Sequence, residues 1–281
     1  MRIGVSSYSF SQAMQDGRMT ILDVIPTAKG MGYEGVEIVK FCSDEDMRAY
    51  APKLAAQSKE FEMPIIAYMT GADFLANDLN AQVETLKKEV EIAATLGAHR
   101  MRHDATGGKD ASGRAYTWEE ALPILAEGYG RVTEYAMGLG INTMIENHGY
   151  FAQDALRVKS LIEAVGNRNF GWLVDMGNFM CADEKPVESV AIAAPLAAHA
   201  HAKDFHFKAK GEYVPKRGWF STRGGDFLRG AMVGHGVVNV PECLKLLKKA
   251  GYDGWLSVEF EGMEDCLMAL KYNLETLREL V

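Results

Sequence analysis

The chain alternates short apolar runs with longer amphipathic ones. The short runs are Ile3–Ser6, Gly35–Val39, Pro64–Tyr68, His99–His103, Asn142–Glu146, Phe170–Asp175, His199–Lys203 and Trp255–Glu259. Most of their positions are β-branched or otherwise apolar, the signature of strands covered on both faces. Between them, apolar residues recur at helical spacing over Leu79–Leu96, Trp118–Met137, Asp154–Val165 and Pro241–Ala250. Glycine follows where helices should stop, at Gly32, Gly97, Gly140, Gly166 and Gly251, and supplies the left-handed residue that turns the chain.

Strict alternation of this kind predicts an α/β fold with a parallel sheet and right-handed crossovers. Eight units fit a closed (β/α)8 TIM barrel. A doubly wound open sheet normally carries a glycine-rich fingerprint after its first strand, whereas this chain continues Ser6-Ser7-Tyr8-Ser9-Phe10. No shift in composition divides the sequence, so residues 1–281 are expected to form a single barrel domain. One connection is long, from 204 to about 238, and reads as a loop after strand seven. Gly32-Tyr33-Glu34-Gly35 and Gly251-Tyr252-Asp253-Gly254 echo each other and read as converged helix-to-strand turns.

Composition narrows the picture further. At 281 residues, 48% hydrophobic and 24% charged, the chain matches an ordinary soluble protein of one barrel's size. Its formal charge of −8 removes the simplest electrostatic reason to bind nucleic acid, and no such partner is expected. Cys42, Cys181, Cys243 and Cys266 are scattered without a CxxC pair, as free thiols in a reducing compartment would be. The start, MRIGVSSYSF, lacks a signal peptide's apolar stretch. The most apolar run, from Val190 to Ala202, is interrupted by Pro195 and His199 and falls short of the ~20 residues a membrane span needs. A cytoplasmic protein without a membrane partner is the expectation.

Barrel chemistry sits at the C-terminal ends of the strands, where the βα connections meet. Strand five ends in Glu146-Asn147-His148, strand six in Asp175-Met176-Gly177-Asn178, strand seven carries His201-Ala202-Lys203-Asp204, and strand eight ends in Glu259-Phe260-Glu261. Four consecutive strands therefore bring Glu146, Asp175, His201 and Glu259 to one rim. Three carboxylates converging in a low-dielectric mouth would repel one another, and a divalent cation removes that cost. The oxygen-rich set favours Mn2+ first, with Mg2+, Co2+ and Zn2+ as alternatives.

At these residues the whole chain resembles the xylose isomerase-like barrel superfamily, the sugar phosphate isomerase/epimerase group. The likeness rests on Glu146-Asn147-His148, Asp175-Met176-Gly177-Asn178, His201-Ala202-Lys203-Asp204 and, most specifically, the block from Gly251 to Gly262. The resemblance implies that Glu146, Asp175, His201 and Glu259 ligate the metal. In the epimerases of that group, the glutamates matching Glu146 and Glu259 also shuttle the proton on opposite faces of the substrate. Dimers and tetramers are common among proteins similar to this one, so a homo-oligomer is compatible.

The chemistry has its own physical argument. A proton next to a ketone is too weakly acidic to remove near pH 7 unaided, and a metal on the carbonyl and neighbouring hydroxyl acts as Lewis acid and template. Glu146 and Glu259 would then remove and return the proton. The expected activity is isomerisation or epimerisation of a small sugar or keto-polyol through a cis-enediolate. The alternative is a metal-dependent lyase or dehydratase of a keto-sugar or inosose, which shares the first step.

Secondary candidates for substrate binding are His148, His103, Lys203 and Glu37, each at a strand end. His199 reads as a buried core histidine. From Lys203 to Arg229 the long connection carries seven basic residues against three acidic ones, and six aromatics. A lid, an oligomer contact, or a loop packed on its own barrel fits that composition, and the charge hints at an anionic substrate group. His235 belongs to the same connection and could reach the pocket. An apurinic-site endonuclease would need additional metal-binding histidines. Asn178 stands where one is required, strand three ends without one, and no Asp-x-His follows strand seven. A sugar-binding protein without catalysis is the remaining alternative.

Overall fold

The computed structural model describes all residues, Met1–Val281. Its strands are β1 (Arg2–Ser6), β2 (Gly35–Val39), β3 (Ile65–Thr70), β4 (Arg100–His103), β5 (Asn142–Glu146), β6 (Phe170–Asp175), β7 (Ala197–Ala202), β8 (Asp204–Lys208), β9 (Phe220–Ser221), β10 (Phe227–Ala231) and β11 (Trp255–Val258). Its helices are α1 (Ser11–Gln15), α2 (Val24–Met31), α3 (Asp44–Glu60), α4 (Leu79–Leu96), α5 (Trp118–Met137), α6 (Ala155–Val165), α7 (Pro186–Ala193), α8 (Val240–Lys249) and α9 (Cys266–Leu280). Eight strands close into a barrel in the order β1-β11-β7-β6-β5-β4-β3-β2. Every pair in it is parallel. This is a (β/α)8 TIM barrel.

The helices begin and end where side-chain chemistry allows. Thr117 and Glu120 form a reciprocal capping box at the start of α5, and Asp78 accepts the Ala81 N–H at the start of α4. Gly32, Gly97 and Gly166 close α2, α4 and α6 in the left-handed conformation. Strand limits move by a residue or two from the hydropathy reading: β3 runs on to Thr70, and β7 begins at Ala197.

The connection expected as a loop from 204 to about 238 is not one. It folds into a three-stranded antiparallel sheet in the order β8-β10-β9. The alternation in Asp204-Phe205-His206-Phe207-Lys208 is a strand signal too short to stand out beside the barrel strands. Its return is anchored by Asp204, whose carboxylate accepts the N–H groups of Phe205, Gly234, Gly236 and Val238. A side chain at position 236 would collide with that carboxylate. Gly234-His235-Gly236 is therefore a backbone clamp, and His235 points to solvent rather than into the pocket.

Most of the core, a cluster of 66 buried residues, lies between strands and helices. Inside the barrel the apolar filling is thin, consisting of Ala67, Met69, Met144 and Leu173. Each large aliphatic side chain buried in the outer layer contributes roughly 1.5–3 kcal/mol. That layer carries the fold and frees the interior for a charged layer above the four-residue plug.

Candidate metal centre and active site

Strand alternation aims the key side chains inward. Arg102 on β4 pairs with Met144 on β5, so Arg102, Met144 and Glu146 share the inner face. Ligand atoms of Glu146, Asp175, His201 and Glu259 all lie within 4.8 Å of one another. His201 Nδ1 sits 3.7 Å from a Glu146 oxygen, 3.5 Å from Asp175 and 3.5 Å from Glu259.

Local sequence explains how each donor is aimed. Asp175 Oδ1 accepts the N–H groups of Gly177 and Asn178 at 2.9 and 2.8 Å. Its Oδ2, fully buried, accepts no well-aligned hydrogen bond and has the Lys203 ammonium 3.2 Å away. Position 177 must be small, because a Cβ there would lie 2.9 Å from the Lys203 side chain. Asn147 faces the other way and ties β5 to β6 by donating to the Asp175 carbonyl and accepting from Trp172 and the Asp175 N–H. Asn178 donates to Glu146 at 3.0 Å and accepts from Lys203.

His201 is oriented from behind. Its Nε2 donates to Glu37 at 2.9 Å, which turns Nδ1 toward the acids, where it offers a lone pair once a metal displaces its proton. That Nδ1 is buried and has no hydrogen-bond partner. Two buried atoms without an aligned hydrogen bond, His201 Nδ1 and Asp175 Oδ2, thus face the same small volume 3.5 Å apart. This donor set fits a divalent cation, and the carboxylate behind the imidazole is the usual support for such a ligand.

Charge around the cluster leads to the same conclusion. Six carboxylates (Glu37, Asp104, Glu146, Asp175, Glu259, Glu261) crowd two permanent cations, Arg102 and Lys203. Arg102 grips Glu146 at 2.6 Å and Asp104 at 2.8 Å, while Lys203 grips Glu259 at 2.6 Å and approaches Asp175 at 3.2 Å. Burial alone would lower the His201 and Lys203 pKa values, yet both stand well above their ordinary ranges because the acids outweigh it. Burial and the charge of Glu259 raise Glu146 against the pull of Arg102. Lys203 and His201 overcome burial at Glu259 and hold it well below the usual carboxylate range.

Two expected substrate contacts lie elsewhere. Glu37 is completely buried, and its oxygens accept from His199 Nε2 and His201 Nε2, so it supports the cluster from behind and cannot line the pocket. His199 is the buried, hydrogen-bonded histidine beside it. His103 points outward: its ring stacks on Tyr129 at 4.3 Å, and its Nδ1 donates to the Asp104 carbonyl. Its inward neighbour Arg102 occupies the place that His103 was expected to fill. The other two candidates do face the cavity. Lys203 is within it, and His148 is on its wall, hydrogen-bonded to Asp104 at 2.9 Å. Burial works against the His148 charge, but Asp104 outweighs it and raises the pKa.

The cavity above the cluster measures about 180 Å3 and is walled by Tyr8, Phe41, Met69 and His148. Tyr8 and Arg102 are not marked by the sequence analysis as site residues, and Asn178 and Glu261 stand there only within strand-end motifs. For Arg102 a signal exists, a charged residue inside an otherwise apolar strand.

The basic residues of the long connection disperse. Arg223 pairs with Asp154 and Arg229 lies near Glu264, so of that set only Lys203 enters the cavity.

Comparison with known proteins agrees with this architecture. The family model described as xylose isomerase-like TIM barrel matches residues 25–280. The rhizopine catabolism protein MocC of Rhizobium meliloti is 27% identical over 203 residues, 66% of this chain and 58% of its own. An inosose dehydratase of Clostridium botulinum is 24% identical over 166 residues, 58% of this chain and 55% of that enzyme. The chain thus spans little more than half the length of these curated relatives. The crystal structure of the IOLI protein with a bound zinc atom superposes with a TM-score of 0.79 at 16% identity, covering 100% of this chain and 98% of that one. At that identity the likeness is one of fold. No helix is long and apolar enough to cross a membrane.

Proposed function

This chain belongs to the xylose isomerase-like TIM barrel family, and from that premise we propose that it is a divalent-metal-dependent enzyme moving a proton beside the carbonyl of a small polyhydroxy ketone. The observation that carries the reading is the convergence of ligand atoms of Glu146, Asp175, His201 and Glu259 to within 4.8 Å of one another, with His201 Nδ1 buried and making no hydrogen bond. When bound, the ion supplies Lewis-acid stabilisation of negative charge on the substrate's carbonyl and adjacent hydroxyl oxygens. Mn2+ is the first ion to try; Mg2+, Co2+ and Zn2+ suit the same donors less well or equally.

The chain's own groups do the proton work. Glu146 and Glu259 stand on β5 and just beyond β11, with β6 and β7 between them in the barrel. That separation lets one remove a proton from one face of a carbon while the other returns it on the opposite face. Arg102 and Lys203 each hold one of these glutamates in place. His148 is placed to hydrogen-bond a substrate hydroxyl, and Tyr8 and Phe41 offer faces to a ring. Epimerisation or isomerisation is the outcome this arrangement favours.

A second outcome has specific support. Several relatives are inosose dehydratases, and Lys203 brings a protonated amine into the cavity. It could protonate a departing hydroxyl, turning the same first step into loss of water. One experiment tests the shared step and separates the outcomes. The Mn2+-loaded protein is incubated in D2O with ketohexoses and an inosose, and NMR follows deuterium at the carbon next to the carbonyl. Exchange that Glu146→Gln abolishes supports the reading, and the product distinguishes epimer from dehydrated ketone. Absence of exchange with every ketone overturns it.

A further inference from the structure

Three of the four candidate ligands stand inside barrel strands: Glu146 ends β5, Asp175 ends β6 and His201 lies within β7. Glu259 does not. β11 stops at Val258, and beyond it one ladder-like bond remains, from the Glu259 N–H to the Ala202 carbonyl at 3.2 Å. Metal ligation tolerates displacements of only a few tenths of an ångström, so something else has to fix the chain here.

Two buried contacts do so. Ser9, in the turn Ser7–Phe10, accepts the Phe260 N–H at 2.9 Å and donates to the Val258 carbonyl at 3.2 Å. One hydroxyl thus bridges the residues on either side of Glu259. A little further on, the backbones of Gly262 and Gly230 pair in parallel register. Gly230 is buried within β10, where it also pairs with Phe205 on β8. A β-carbon at 230 would collide with the Glu261 carbonyl and the Gly262 nitrogen, backbone atoms that cannot turn aside as a side chain could. Glycine weakens a strand, and its presence inside one marks the close approach of another backbone.

The sheet that presents Gly230 is itself firmly built. Asp204 ties its return through four N–H groups, and the residue before it, Lys203, holds the Glu259 carboxylate at 2.6 Å. Gly218 abuts the Met263 side chain and Arg229 lies 3.7 Å from Glu264, so the sheet meets the segment 261–264 along its length. Resting on the reading of Glu259 as a metal ligand, we infer that Ser9 and Gly230 are positioning residues for it. The sheet β8-β10-β9 is then a brace that sets the affinity of the metal centre from outside the barrel. Both residues act on the backbone around Glu259, and neither is a ligand.

The test measures Mn2+ affinity by chelator competition in Ser9→Ala and Gly230→Ala, with Leu86→Ala as the control. Leu86 is buried on α4, which joins β3 to β4 across the barrel from β11, so its truncation lowers the melting temperature without touching the brace. Both positioning variants should weaken Mn2+ binding about tenfold or more, as loss of a group supporting a ligand does. The control should stay within about twofold of the wild type. Hydrogen exchange on the metal-free protein gives a second readout. The Phe260 amide, bonded to Ser9, should lose protection about tenfold in both variants, while Ile145 inside β5 keeps its own. Ser9→Ala removes only a hydroxyl and keeps the test decisive should Gly230→Ala fail to fold. An unchanged Mn2+ dissociation constant in either folded variant, or an equal loss in Leu86→Ala, overturns the inference. If the wild type binds no Mn2+, the metal reading above fails and the brace is judged by exchange alone: lost Phe260 protection supports it, and unchanged protection overturns it.

Discussion

At the N-terminal end of the barrel two hollows of about 510 and 480 Å3 open beside Arg2, Lys59, Arg100 and Arg168, whereas the C-terminal mouth holds a cavity of only about 180 Å3. The larger hollows gather cations at the surface, one of them, Arg2, resting on the Trp255 ring at 4.0 Å. In the smaller one, buried acids, an imidazole and two cations are pressed within a few ångströms of each other. Their desolvation has to be compensated by pairing, hydrogen bonding or a metal, and the unbonded His201 Nδ1 marks where the protein alone leaves it incomplete. Volume is a poor guide to chemistry here, and enforced proximity of charge is a good one.

The strongest way to break this comparison is to mutate both ends. Asp175→Asn or His201→Gln should lower deuterium exchange roughly a thousandfold, the worth of several kcal/mol of Lewis-acid stabilisation. Arg100→Ala at the opposite mouth should change it by no more than about twofold, as surface substitutions do. Comparable losses at both ends would defeat the assignment.

Glu37 probes the support of the cluster. Its two oxygens accept from two imidazoles, and glutamine, with one acceptor, can satisfy only one. Glu37→Gln should weaken Mn2+ binding by roughly 10–100-fold in chelator competition while thermal unfolding stays cooperative. An unchanged dissociation constant would show that His201 needs no such orientation.

His103 carries the comparison to the two sides of the barrel wall. Burial lowers its pKa to about 4. The folded protein therefore holds it neutral, while the unfolded chain takes up a proton below the ordinary histidine range near 6.5. Its contribution is fully present above that range and is lost as pH falls towards 4. Between pH 7.5 and 5 the loss should be about 2 kcal/mol in urea unfolding and be absent in His103→Phe. Equal acid sensitivity in the two proteins would refute it.

Arg102, on the inner side of that wall, gives the smallest effect. Arg102→Lys keeps the charge but replaces the planar guanidinium, whose Nη2 bridges Glu146 and Asp104, with a shorter side chain, and kcat should fall about tenfold with little change in KM. A change confined to KM would recast Arg102 as a substrate contact.

Sequence reading reached Glu146, Asp175, His201 and Glu259 because each ends an apolar run, and a parallel barrel sends strand ends to one rim. It misplaced His103 and Glu37 for a different reason. Glu37 does face the barrel interior, but one layer below the rim, where His199 and His201 cover it. Choosing the imidazole over the neighbouring arginine on β4 was a choice of residue type, and only the pairing of Arg102 with Met144 decides the side. The sheet hidden in the connection after β7 was missed because short antiparallel strands carry little periodic signal.

Periodicity, glycine stops and polar strand ends are local, cooperative properties, so the sequence by itself determined the barrel, its eight units and the four residues at its rim. What a side chain faces depends on ladder register and on partners far away in the chain, such as Glu37 to His201 across 164 positions. Tertiary structure alone therefore decided which acid supports the cluster and which cation holds each glutamate.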